Sequence, residues 1–125
     1  MSLPPSPPVH PAAALLRASK HASTVTEVAA AVASDAFVVV GMGWNPSVGR
    51  ARRALTASGV SHTYLGYGNY AVGWRKRLAI KLWAGWPTFP MVFVHGQLVG
   101  GASDLQALVT SGEFATLVGA GRATR

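Results

Sequence analysis

The chain has 125 residues, eleven Lys plus Arg against four Asp plus Glu for a net charge of +7, and no cysteine. Its length and 50% hydrophobic content fit one domain with its own core and exclude a disordered polyelectrolyte. The missing cysteines exclude a disulfide, a thiolate nucleophile and any Cys-ligated zinc or iron–sulfur centre supplied by this chain alone. The acids Glu27, Asp35, Asp104 and Glu113 leave residues 36–103 without a carboxylate, so a catalytic pair of neighbouring carboxylates is not expected.

In chain order, residues 1–23 are rich in Pro, Ala and Ser, with Pro4, Pro5, Pro7, Pro8 and Pro11, and read as a disordered tail. Residues 1–26 hold no acid but carry Arg17 and Lys20, a composition that resembles an organellar presequence. The prolines oppose the amphipathic helix such a presequence needs, so a cytoplasmic location is the expectation and an organelle the alternative. The longest aliphatic run, residues 36–40, is far short of the roughly 20 residues of a membrane span, and none is expected.

Thr24-Val25-Thr26-Glu27 reads as a capping box opening an alanine-rich helix over residues 24–34. Phe37-Val38-Val39-Val40 is a wholly apolar, β-branched run suited to a strand buried on both faces. After a loop at 41–46, apolar residues at helical spacing (Val48, Ala51, Ala54, Leu55) predict a helix over 47–58, stopped by Gly59. A strand at 62–65 completes a parallel βαβ unit. The Gly- and Tyr-rich loop 66–70 leads to a helix over 72–84, and Met91-Val92-Phe93-Val94, His95-Gly96 and Gln97-Leu98-Val99 form a hairpin around a tight turn. Helices over 102–108 and 113–117 follow, giving an α/β domain over 24–119 with a small mixed sheet and a short tail over 120–125.

Of the candidate chemical groups, His10, His21, His62 and His95 show no metal-ligand spacing, so no metal site is expected. Ser47, at a helix start, has no evident base to make it a nucleophile. Seven of the eleven cations (Arg50, Arg52, Arg53, Arg75, Lys76, Arg77 and Lys81) fall on two helices, interleaved with Tyr64, Tyr67, Tyr70, Trp74, Trp83 and Trp86. Such a patch suits nucleic acid, an acidic protein or anionic lipid, and the alternative is packed aromatics beside a solvated face.

The order of elements, together with the sixteen residues Trp86-Pro87-Thr88-Phe89-Pro90-Met91-Val92-Phe93-Val94-His95-Gly96-Gln97-Leu98-Val99-Gly100-Gly101 and the later Ser111-Gly112-Glu113, resembles the glutaredoxin family. The resemblance covers about three-quarters of the chain and is nearest to the monothiol branch, whose members hold [2Fe–2S] clusters between two subunits with glutathione as outside ligand. It implies the three-layer thioredoxin fold and a cis peptide bond before Pro90. It also sets Asn45-Pro46-Ser47-Val48 where the family has Cys-Pro-Tyr-Cys or Cys-Gly-Phe-Ser, so both sulfur positions, Asn45 and Val48, are vacated. Thiol–disulfide exchange needs a thiolate, so oxidoreductase activity and an iron–sulfur cluster from this chain alone are not expected.

The resemblance carries over part of a glutathione site. Thr88, Phe89 and Pro90 match the edge that pairs with the tripeptide like an added strand, and Lys81 matches the basic residue for the glycyl carboxylate. Gly101, Ala102, Ser103 and Asp104 match the helix start that receives the γ-glutamyl carboxylate, a setting that suits an anion. The lysine before the family's active-site loop is replaced by Met42-Gly43. These same residues could be kept only to end a strand and cap a helix. The expectation is a redox-inactive module that binds glutathione, a peptide or a partner protein. The alternatives are a transferase-type enzyme using the thiol of bound glutathione, or an adaptor for nucleic acid or an acidic partner.

Overall fold

The computed structural model describes residues 21–123, so the expected N-terminal tail lies outside the described residues except for its last three, as do residues 124–125. The elements are α1 (Ala22–Ser34), β1 (Phe37–Gly41), α2 (Pro46–Ala57), β2 (Thr63–Gly66), α3 (Trp74–Ala84), β3 (Met91–Val94), β4 (Gln97–Gly100), α4 (Ala102–Ser111) and α5 (Glu113–Ala123). The four strands form one mixed sheet in the order β2-β1-β3-β4. β1 and β2 run parallel, with Val39 opposite Tyr64, while β3 is antiparallel to β1, with Val38 opposite Phe93.

Alternation along β1 sends its side chains into two separate cores. Val38 and Val40 join Val28 and Val32 of α1 and Ile80 of α3. Phe37 and Val39 join Ala51 and Leu55 of α2, Leu105 of α4 and Phe114 of α5. Every residue of β1 is buried, which is why the strand reads as an unbroken apolar run. The β3–β4 hairpin turns at His95 (φ 49°) and Gly96 (φ 82°), the left-handed pair of a type I′ turn.

The three layers are thus α1 and α3, the sheet, and α2 with α4 and α5. This layering corrects the reading of one basic patch: α2 and α3 lie on opposite faces of the sheet, and their cations form two separate surfaces. Three of the six aromatics do not join an exposed platform either, while Tyr70, Trp74 and Trp83 stay exposed. Tyr67 is buried, Tyr64 lies under the Arg52 guanidinium at 4.1 Å, and Trp86 packs on the core of α1 and α3.

The capping box at Thr24 does not form. α1 starts at Ala22, the Val25 N–H reaches the His21 carbonyl at 3.2 Å, and Thr24 is already inside the helix. Thr24, Val28 and Val32 make a buried stripe at i, i+4 and i+8, and burying that stripe outweighs a surface cap. Glu27 instead accepts a hydrogen bond from the Tyr67 hydroxyl. α3 begins at Trp74, two residues later than its composition suggests. The Asn69 side chain accepts the N–H groups of Ala71 (2.8 Å) and Val72 (3.1 Å) and holds that stretch as a turn.

Candidate binding site

The chain segments that follow β1 and β2 and precede β3 and α4 meet at one end of the sheet. Pro46 at the first turn of α2 fixes the backbone for helix entry, and Asn45 is the N-cap. Its side-chain oxygen accepts the Ser47 N–H at 2.9 Å. The amide nitrogen on the other side donates to the carbonyl oxygen of Phe89 at 3.2 Å. The Phe89–Pro90 bond is cis, as the family resemblance implies, and both residues are buried. One side chain therefore caps a helix and ties it to the loop ahead of β3.

Val48, at the second vacated position, is buried and structural. A Cβ on Gly41 would stand 2.8 Å from one of its methyl groups, so the end of β1 approaches Val48 closely only because Gly41 has no side chain. Met42 is buried in the same core as Phe89 and leaves the surface to Trp44, which is 68% exposed with φ 61°. Ser47 Oγ accepts from Arg50 Nη2 at 2.8 Å, so a cation rather than a base faces this hydroxyl.

Lys81 rises from α3 to place its ammonium 5.6 Å from the centre of the Phe89 ring, which puts a positive charge beside the cis-proline loop. Thr88 is exposed next to it. On the far side, a Cβ on Gly101 would lie 3.5 Å from the Pro90 carbonyl, so the α4 N-terminus adjoins the same loop. The first N–H groups of a helix have no partner within it. At α4 the Asp104 carboxylate folds back to accept the Gly101 N–H at 2.9 Å, while Ser103 is exposed and Ala102 is buried. Gly100, with φ 120°, makes room for this fold-back: its Cβ would fall 2.7 Å from the Asp104 Cγ.

The structure thus brings Asn45, Lys81, Thr88, Phe89, Pro90 and Gly101 to one place. The tie between Asn45 and Phe89 joins residues 44 positions apart, and nothing local in the sequence signals it. Asp104 serves its own helix terminus, an acid three residues after the cap, which is a pattern that sequence does signal. Among the described residues, no group of three or more His, Asp or Glu could hold a metal ion.

No family model matches the chain. It is 43% identical over 84 residues to the glutaredoxin-like protein of Dictyostelium discoideum, a match spanning 67% of this chain and 68% of that protein. The chain belongs to the glutaredoxin family, and it does so without a cysteine. Over a shorter stretch of 42 residues it is 43% identical to the bifunctional monothiol glutaredoxin-S16, chloroplastic, of Arabidopsis thaliana, covering 34% of this chain and 14% of that protein. The structure of a buckwheat glutaredoxin–glutathione complex superposes with a TM-score of 0.70 at 18% identity, over 83% of this chain and 94% of that one, and shows the same fold.

Proposed function

We propose that the protein is a redox-inactive glutaredoxin-fold module that binds glutathione, or an extended peptide segment of a partner protein, at the edge formed by Thr88, Phe89 and Pro90. The observation that carries this reading is the Asn45 side chain. A polar, hydrogen-bonded amide stands where the family's nucleophile would be, so the loop is held in place and no attacking group remains. Around it, the Lys81 ammonium offers a counter-charge for a ligand carboxylate, and the α4 N-terminus offers the N–H groups of Ala102 and Ser103 to a second one. The buckwheat relative of the same fold is known as a glutathione complex, which supports the choice of ligand.

Titration calorimetry of the full chain with reduced glutathione tests the reading. Saturable heat in the millimolar range or below, weakened in Lys81→Glu, is the expected result. Absence of heat at millimolar glutathione removes the small ligand and leaves the partner-protein form of the proposal. In that case an extended peptide carrying a C-terminal carboxylate becomes the probe.

A further inference from the structure

Between its cations, α3 carries an apolar stripe that neither the sheet nor the binding site uses. At 3.6 residues per turn, Trp74, Leu78 and Leu82 fall on one stripe, and they are 58%, 44% and 57% exposed. The core side of the same helix is already satisfied. Ile80 is fully buried, and Arg77 turns inward to donate to the carbonyls of Tyr67 (3.0 Å) and Val72 (2.7 Å). The exposed stripe is therefore not core that failed to close. Lys81 borders it on one side and Arg75 on the other, with the Arg75 guanidinium 5.1 Å from the Trp74 ring.

Further exposed apolar side chains lie just ahead of the helix. Tyr70 and Val72, in the turn that leads into α3, are also exposed. Trp44 stands at the same end, because the Gly43 N–H bonds the Gly68 carbonyl at 2.8 Å. A tryptophan in the left-handed region costs about 1–2 kcal/mol that a glycine would avoid, and an exposed ring contributes no core packing in return.

We propose that this ridge is a peripheral contact for an anionic lipid surface: α3 lies flat on the headgroups with Leu78, Leu82 and Trp74 dipping between them. Three features favour that occupant. An aliphatic ridge edged by Trp and then by Lys and Arg is the arrangement of an interfacial helix, whose cations reach the headgroups while the apolar residues insert. The charges are of one sign, with no carboxylate between residues 36 and 103, which fits a laterally uniform anionic surface. A second copy of the chain docked ridge to ridge would crowd the flanking Arg75 and Lys81 of both copies together with no acid in either helix. No described helix is long and apolar enough to cross a membrane, so the contact is peripheral.

The test is co-sedimentation of the full chain with phosphatidylcholine vesicles, with and without about 30% phosphatidylserine, at low and high salt. Expected are partition onto the anionic vesicles only, a blue shift of tryptophan emission on binding, and a loss of about tenfold or more in partition for L78S/L82S. Both leucines are exposed, so this variant keeps the wild-type far-ultraviolet circular dichroism, which is measured alongside. No sedimentation with anionic vesicles at low salt overturns the proposal, as does equal partition of wild type and L78S/L82S. Binding to polyglutamate without binding to vesicles overturns it in favour of an acidic protein partner.

Discussion

The amide of Asn45 and the carbonyl of Phe89 are joined at 3.2 Å across 44 residues of sequence, so the start of α2 and the loop before β3 are held as one piece. An extended ligand pairing with Phe89 in the manner of an added strand meets a carbonyl oxygen that already has a donor. Asn45→Ser keeps an N-cap oxygen for the Ser47 N–H and frees the Phe89 carbonyl. Glutathione is expected to bind Asn45→Ser about fivefold more tightly than wild type, the worth of one net hydrogen bond. Calorimetry on the two proteins side by side measures it, and equal affinities would mean the ligand does not use that oxygen. Asn45→Ala, which loses the cap as well, is expected to cost about 1 kcal/mol of stability.

Restoring sulfur is a direct test of what the scaffold retains. In Asn45→Cys the thiol sits at the N-terminus of α2, where the unpartnered N–H groups favour the thiolate, and Arg50 lies one turn further on. Its rate of alkylation by iodoacetamide is expected to rise with pH to a midpoint below the roughly 8.5 of a free cysteine. A midpoint at or above that value would show that the helix terminus does not favour an anion here.

The Tyr67 hydroxyl is buried against the core and donates to Glu27, and burial first, then that hydrogen bond and the carboxylate's charge, push its pKa well above the ordinary phenol value. A raised folded-state pKa stabilises the fold below the unfolded value near 10, and that contribution is lost as pH rises beyond it. Thermal stability of the wild type should therefore fall above pH about 10 more steeply than that of Tyr67→Phe. At neutral pH, Tyr67→Phe should be less stable by about 1.5–3 kcal/mol, the range for a hydrogen bond to a charged group. Parallel profiles for the two proteins in alkali would refute the assignment.

Arg77 is 8% exposed and spends its guanidinium on the carbonyls of Tyr67 and Val72, which closes the 67–72 turn onto α3. Arg77→Met keeps the length of the stem but leaves both carbonyls without that donor. We expect a loss of about 2–4 kcal/mol, read from chemical denaturation, with faster amide exchange confined to residues 67–73. Exchange that rises evenly across the domain would contradict a local role.

His62 accepts from Arg52 Nε at 3.2 Å, and its pKa is lowered, by burial first and by the Arg52 charge second. With the folded value below 6.5, the unfolded chain binds more protons in the window beneath it, so this contribution is complete above pH 6.5 and declines as the pH falls. The melting temperature of His62→Asn should be flatter than that of wild type between pH about 7 and 5. Identical slopes would remove His62 as the source.

Much of the fold was legible because each signal was local. The unbroken Phe37–Val40 run reports burial on both faces, His95-Gly96 reports the hairpin, and Val48, Ala51 and Leu55 at helical spacing report the buried face of α2. What escaped depends on contacts distant in sequence. Glu27 answers to Tyr67 forty residues later, so the composition of its own helix suggests a capping role it does not have. The cations of α2 and α3 look like one cluster along the chain, and only the crossing of the chain from one face of the sheet to the other separates them. At the site, the residue types were readable, whereas the tie from Asn45 to Phe89 needed the cis-proline loop to be folded against α2.

Asn45 also decides how the protein meets changing surroundings. A thiol at the head of this helix can be free, oxidised or joined to glutathione, and each form presents a different surface. An amide has one form in oxidising and reducing conditions alike. The Asn45 side chain therefore presents the same groups beside the Phe89 edge at every redox potential.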